Sequence, residues 1–245
     1  MAQQTLKKIA LITGANKGIG YEVARQLGAQ GYTVLVAARN PKLGTAAANK
    51  LRDGGAEAHF MELDVLRPET ITRAADAVRK EYGHLDVLVN NAGIVDPKDG
   101  MPGVADMDAV RRILDVNFFG ALSVTQAFLP LVKAAEAGRI VNVSSGLGSL
   151  TRNSDPKWPY AAVKPLGYNG SKAILNMLTV QLAYELRGTK IKVNSADPGY
   201  TATDLNGNSG HQTVKEGSTE TVRLALLPED GPTGGYFSNE GPVPW

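Results

Sequence analysis

Short apolar runs alternate with helix-patterned stretches along the whole chain, and this alternation narrows the possible folds more than any other feature. Ile9-Ala10-Leu11-Ile12, Val34-Leu35-Val36-Ala37, Val87-Leu88-Val89 and Ile140-Val141-Asn142-Val143 are apolar at nearly every position. A run without polar alternation reads as a strand buried on both faces. His59-Phe60-Met61-Glu62-Leu63 and Ile191-Lys192-Val193-Asn194 are weaker strand candidates, and Gly235-Tyr236-Phe237 can supply a last one. Between them, helical spacing predicts helices near 18–30, 41–53, 68–82, 107–135, 168–187 and 213–227. Strands separated by helices, joined by right-handed crossovers, give an α/β fold: a doubly wound parallel sheet with helices on both faces. No internal repeat and no Pro/Gly/Ser linker divides the 245 residues, so a single domain over 1–245 is expected.

Composition removes several classes of function. Twenty-six basic against twenty-four acidic residues leave a net charge of +2, too small to make nucleic acid or a membrane surface the default partner. No continuous apolar stretch approaches the ~20 residues of a membrane span. The opening, Met1 to Lys8, is polar and leads into a strand, which argues against a signal peptide. The chain has no cysteine, hence no thiolate nucleophile, disulfide or zinc–thiolate site, and His59, His84 and His211 make no metal-ligand pattern. A cytoplasmic, metal-free protein is expected.

The segment Thr13-Gly14-Ala15-Asn16-Lys17-Gly18-Ile19-Gly20 follows the first strand and opens an amphipathic helix. Glycines there allow a tight turn and close backbone approach, and a helix N-terminus favours a pyrophosphate. The Gly-x-x-x-Gly-x-Gly spacing is neither the commonest dinucleotide fingerprint nor a Walker loop. The second strand ends Ala37-Ala38-Arg39-Asn40, where dinucleotide sites that bind a free ribose 2′-hydroxyl usually carry an acid. Arg39 in that place, with Lys17 in the glycine loop beside it, favours a 2′-phosphate and therefore NADP(H). Asp64, after the third strand, either accepts from the adenine amino group or caps a helix.

Tyr168 and Lys172 are one helical turn apart, so an ammonium beside the phenol is expected to lower its pKa from ~10 and make it a usable acid or base. Tyr160 and Lys164 repeat the spacing. Lys164 precedes Pro165, however, and a residue before proline is pushed out of the helical region. From Tyr168 to Arg187 there is no proline, and Ile174, Leu178, Leu182 and Leu186 recur every four residues. The pair on a continuous helix is Tyr168 and Lys172.

Taken in order, Thr13-Gly14…Gly18-Ile19-Gly20, Leu63-Asp64-Val65, Asn90-Asn91-Ala92-Gly93, Asn117, Asn142-Val143-Ser144-Ser145, Tyr168…Lys172 and Pro198-Gly199 resemble the short-chain dehydrogenase/reductase family over nearly the whole chain. Lys17 and Arg39 make it most similar to the NADPH-dependent carbonyl reductases. The resemblance implies a Rossmann-type sheet of about seven strands and hydride transfer between a nicotinamide and a small carbonyl or alcohol. By position it implies Tyr168 as proton donor, Lys172 as the group that tunes it and binds the nicotinamide ribose, and Ser145 as the polarising hydroxyl. Asn117 would hold a water linking Lys172 to solvent; alternatively it is a buried asparagine satisfying backbone groups. Gly14, Asn16, Lys17, Gly18, Ile19, Gly20, Arg39, Asp64, Val65, Asn91, Ala92 and Gly93 would hold the cofactor, with Pro198, Gly199, Thr201 and Thr203 along the nicotinamide.

The interval from Ser145 to Tyr168 is longer than is common in the family, so 149–163 is expected to be an extra loop with Trp158 and Tyr160 near the pocket mouth. Segments 95–103, 146–160 and 200–214 should shape the substrate site, the last as a lid. A reductase of ketones or aldehydes is the leading expectation. An alcohol dehydrogenase and a non-catalytic NADP sensor are the alternatives, and the sequence leaves monomer or homo-oligomer open.

Overall fold

The computed structural model describes residues 7–245. Most of the polar opening Met1 to Lys8, on which the expected absence of a signal peptide rests, lies outside the described residues. In chain order the main elements are β1 (Ile9–Thr13), α1 (Gly18–Ala29), β2 (Thr33–Ala38), α2 (Pro41–Asp53), β3 (Ala58–Glu62), α3 (Pro68–Glu81), β4 (Val87–Asn90) and α4 (Met107–Leu114). After a π turn over Asp115–Gly120 come α5 (Ala121–Ala134), β5 (Arg139–Val143), α6 (Leu150–Ser154), α7 (Leu166–Glu185), β6 (Lys192–Asp197), α8 (Val214–Ala225), β7 (Tyr236–Ser238) and β8 (Gly241–Pro242).

The strands form one sheet in the order β3-β2-β1-β4-β5-β6-β7-β8. All neighbours are parallel except β7 and β8, whose pairing is a two-residue antiparallel return. Strands β1, β2, β4 and β5 are buried at every position, which is why their sequences lack polar alternation. β3 sits at the edge and is only half buried, hence its weaker pattern.

Successive residues of β1 feed opposite layers, as a pleated strand requires. Ala10 and Ile12 pack with Val23 and Leu27 of α1, Leu51 of α2 and Leu224 of α8. Ile9 and Leu11 pack with Ile71 and Val78 of α3, Val124 and Phe128 of α5 and Leu182 of α7. Below the site a polar row crosses the sheet: Asn90 donates to Asn142 (2.9 Å), Asn142 to Thr179 (2.8 Å), and Thr179 shares a hydrogen bond with Ser195 (2.8 Å). The row joins these buried groups to one another, leaving only Asn90 Oδ1 of its side-chain atoms without a partner.

Two elements differ from the sequence expectation, besides the added strand β8. The helix expected over 107–135 is broken by the π turn, which places Val116, Asn117 and Gly120 in the interior. The combined Met107–Ala134 run is long and apolar enough to span a membrane, with mean hydropathy 1.2 in its most apolar part. Scattered polar residues hid that length, and the run packs as a core helix through Val124, Phe128 and Leu131. The expected loop 149–163 begins with α6, capped where Ser149 Oγ accepts from the Arg152 amide (3.0 Å).

Candidate active site

β1 passes into α1 through a glycine turn braced by the end of β4. Gly14 has φ +66°, and a Cβ there would lie 3.1 Å from the Ala92 Cα, so conformation and backbone approach both exclude a side chain. A Cβ on Gly20 would come within 2.4 Å of Asn91 Nδ2. That amide donates to the Thr13 carbonyl (2.8 Å), while Thr13 Oγ1 accepts from the Asn91 and Ala92 amides (3.0 Å each). The first turn of α1 contains no acid, and Lys17 stands directly before it. Helix N-terminus and ammonium thus converge on a place suited to an anion.

Along the carboxyl ends of β1 to β6 runs a cleft of about 610 Å³. From β3 to β6 it crosses five strand steps of ~4.8 Å each, a length suited to an extended dinucleotide. It lies over the β1/β4 switch point, the expected ligand position in an open α/β sheet. Gly14, Asn16, Lys17, Gly18, Ile19, Arg39, Asp64, Val65, Asn91, Ala92 and Gly93 line it together with Tyr168, Lys172, Pro198 and Thr203. Ala38, Leu63, Ile94, Val95 and Ser144 join them; Leu63 and Ser144 lie in the quoted motifs without having been assigned to the site, and Ile94 and Val95 carry neither charge nor motif.

Two cations stand near the end of β2. Among the described residues Arg39 forms no ion pair, whereas Lys17 Nζ is 2.7 Å from Asp204 Oδ2. Asp64 does not cap α3, whose N-cap is Arg67; its Oδ1 accepts from the Leu66 amide (3.0 Å) in a tight turn at the cleft.

The second group centres on α7. Its N-cap, Pro165, has no side chain to offer, and the cap comes from a distant loop. Asp99 accepts from the Gly167 and Tyr168 amides at 2.8 Å each, while the Leu166 amide donates to the Gly100 carbonyl (2.8 Å). Asp99 was not singled out in the sequence, because nothing local marks a cap 69 residues away. Tyr160 lies in turns before α7, and Lys164 Nζ donates to the Asn153 carbonyl (2.6 Å), so the second Tyr–Lys pair does not share a helix.

Lys172 is 5% exposed, its ammonium donating to the Val143 carbonyl (2.8 Å) and lying 5.7 Å from the centre of the Tyr168 ring. Burial lowers its pKa to about 8. The half-buried Tyr168 is pushed up to about 12, chiefly by burial, against a hydrogen bond with Ser145 and with a smaller upward contribution from Asp197. This corrects the expectation of a lowered tyrosine pKa. Helical spacing brings the residues together, but the ammonium points at Val143 and desolvation prevails. Tyr168 is therefore a neutral phenol at neutral pH, with a proton to give.

Asn117 is 1% exposed and fully engaged: Oδ1 accepts from the Ile94 amide (2.8 Å), and Nδ2 donates to the Ile94 carbonyl (3.0 Å) and to Ser171 Oγ (3.0 Å). Of its two expected readings, the side-chain contacts match the one that satisfies backbone groups. A Cβ at Gly93 would meet Asn117 Oδ1 at 3.3 Å and Lys172 Nζ at 3.7 Å, so the three residues share one corner. Ser145 Oγ accepts from the Leu147 amide (3.2 Å), and the Tyr236 hydroxyl donates to the Ser145 carbonyl.

Gly20, Asn117, Ser145, Gly199 and Thr201 do not line the cleft itself. Ser145 reaches it through its bond to Tyr168, and Gly20 lies under Asn91. The Gly199 amide donates to Asp197 Oδ1 (3.0 Å). Thr201 turns away, 4% exposed, its hydroxyl donating to the Pro198 carbonyl (2.9 Å) beside Gly217 of α8.

The extra segment is tied down on two sides. Arg152 of α6 pairs with Asp197 Oδ2 at the end of β6 (3.0 Å), a largely buried bond. Trp158, Tyr160, Tyr200 and His211 form a row with centroid spacings of 5.5, 5.9 and 5.8 Å, joining this segment to 200–214.

The family model described as short chain dehydrogenase matches residues 8–214. A rat protein named carbonyl reductase (NADPH) 3 is 36% identical, the match covering 91% of this chain and 92% of that one. Salutaridine reductase of Papaver bracteatum is 30% identical, over 95% and 94% of the two chains. Among solved structures, NADPH-bound carbonyl reductase from chicken fatty liver superposes with a TM-score of 0.85 at 28% identity, covering 98% of this chain and 99% of the other.

Proposed function

Because the chain belongs to the short-chain dehydrogenase family, we propose that it is an NADPH-dependent reductase that converts a ketone or aldehyde to an alcohol. The observation that carries this reading is that Tyr168 and Lys172 share one dinucleotide-length cleft with Arg39, Lys17 and the glycine turn. The residues fit the cofactor. The glycine turn and the start of α1 suit a pyrophosphate and Arg39 and Lys17 a 2′-phosphate, with Thr203 over the glycine turn and Pro198 also in the lining.

When bound, NADPH supplies the hydride, which is chemistry no side chain can perform. The chain's own part is to orient the carbonyl and to meet the negative charge that grows on its oxygen. Ser145 and Tyr168 are donors beside that oxygen, and donors fixed in a dry site stabilise such charge strongly. Tyr168 then gives its proton to the oxygen. The phenolate left behind is a strong base, and the Lys172 ammonium is placed to balance it and to bind the nicotinamide ribose. Asn117 holds the corner through its side-chain bonds to Ile94 and Ser171. Net direction follows from the ratio of reduced to oxidised cofactor, since a catalytic acid speeds both directions alike.

The test is NADPH consumption with a panel of small ketones and aldehydes, by the wild type and by Tyr168→Phe, alongside NADPH affinity for both. Consumption by the wild type, with a variant at least ~100-fold slower that still binds NADPH, is expected. Equal rates would sink the mechanism. Tight binding without consumption by either protein would favour an NADP sensor.

A further inference from the structure

Lys17 and Arg39 differ in a way the sequence does not show. Both line the cleft and both are placed to read a 2′-phosphate, but Arg39 has no ion pair among the described residues, whereas Lys17 is held by Asp204 at 2.7 Å. Asp204 belongs to the segment that crosses from Pro198 toward α8. Its carboxylate is presented by a capped turn. Thr203 and Asn206 cap each other across Asp204–Asn206, and Gly207 and Asn208, each with φ 62°, close the turn. Thr203 also stands over the glycine loop, its Cγ2 within 3.7 Å of where a Cβ on Gly18 would be.

We propose that Asp204 is an internal competitor for Lys17, which a 2′-phosphorylated dinucleotide must displace. The inference rests on the NADP(H) reading above. Both side chains are more than 60% exposed, and an exposed ion pair is worth little, so the pair is exchangeable. A phosphate monoester carries close to two negative charges at neutral pH and three acceptor oxygens, against one charge on the carboxylate. It therefore takes the lysine, and the freed carboxylate is then repelled by the phosphate beside it. One exchange binds the nucleotide and loosens the 203–208 turn over the cleft. A dinucleotide with a bare 2′-hydroxyl offers Lys17 nothing in return and leaves the pair closed. Asp204 thus tempers affinity for the phosphorylated cofactor and couples its arrival to movement of the segment above it.

The experiment compares adenosine 2′,5′-bisphosphate with adenosine 5′-monophosphate, which differ only in the 2′-phosphate. Binding of each is measured by calorimetry to the full chain in the wild type, Asp204→Asn, Lys17→Met and the double variant. Asp204→Asn is expected to tighten the bisphosphate by about threefold to tenfold and to leave the monophosphate within about twofold. Lys17→Met should weaken the bisphosphate and shrink the effect of Asp204→Asn to the part that comes from direct carboxylate–phosphate repulsion. An unchanged bisphosphate affinity in Asp204→Asn, or equal tightening of both ligands, would overturn the proposal. Equal affinity of the wild type for both ligands would instead remove the NADP(H) reading itself.

Discussion

Replacing Lys172 by methionine should remove a large pH dependence from the stability of the fold. Lys172 is 5% exposed, and burial lowers its pKa from 10.5 to about 8. Below pH 8 folded and unfolded chains both carry the proton, and the folded state bears a desolvated ammonium. Between about pH 8 and 10.5 the folded chain has released the proton while the unfolded chain keeps it, so stability rises with pH. Above 10.5 both are neutral and the gain is complete. At about 1.4 kcal/mol per pH unit, the full rise is about 3 kcal/mol. Methionine does not titrate. It also loses the bond to the Val143 carbonyl, a pH-independent cost of about 1–3 kcal/mol. Tyr168, raised to about 12, lowers stability above pH 10, but it is present in both proteins and cancels. The assay is urea unfolding without dinucleotide at several pH values from 7 to 10. The wild type should gain on Lys172→Met by about 2–3 kcal/mol across that range. A difference that stays flat within about 0.5 kcal/mol would refute the desolvated-lysine reasoning.

Two further changes test how the site is held in place. Asp99→Ala removes both carboxylate bonds at the start of α7 and should lower stability by about 1–2 kcal/mol, as loss of a helix cap does. Because one of those bonds is to the Tyr168 amide, kcat should fall while NADPH affinity holds, with partial recovery in Asp99→Asn; unchanged kcat would show that this cap does not position the tyrosine. Arg152→Ala leaves Asp197 buried without its cation and should cost about 3 kcal/mol or more in urea unfolding. Adding Asp197→Asn should return part of that loss, and an additive double variant would argue against the pair.

The sheet was legible because burial on both faces writes itself into composition: β1, β2, β4 and β5 need apolar residues at every step. β8 was not, since a two-residue edge return carries no periodicity. The π turn at Asn117 also escaped, because one extra residue scarcely disturbs a helical apolar stripe. Tyr168 was separable from Tyr160 because Pro165 restricts its neighbour whatever the tertiary context. What stayed hidden are contacts that only the fold creates: Asp99 with Tyr168, Arg152 with Asp197, and Lys17 with Asp204 are 69, 45 and 187 residues apart. The direction of the Tyr168 shift failed for a related reason. Spacing on a helix brings a lysine and a tyrosine close, but it says nothing of how deeply both are buried or where the ammonium points.

The central claim is that the chain moves hydride from NADPH to a carbonyl carbon while Tyr168 protonates the oxygen. Its most direct test uses NADPH carrying deuterium at the nicotinamide C4 and a ketone that the wild type turns over, with the product alcohol examined by mass spectrometry. The account predicts one deuterium on the carbinol carbon with the wild type and almost no product with Tyr168→Phe. Alcohol formed without the label, or labelled alcohol formed equally well by Tyr168→Phe, would contradict it.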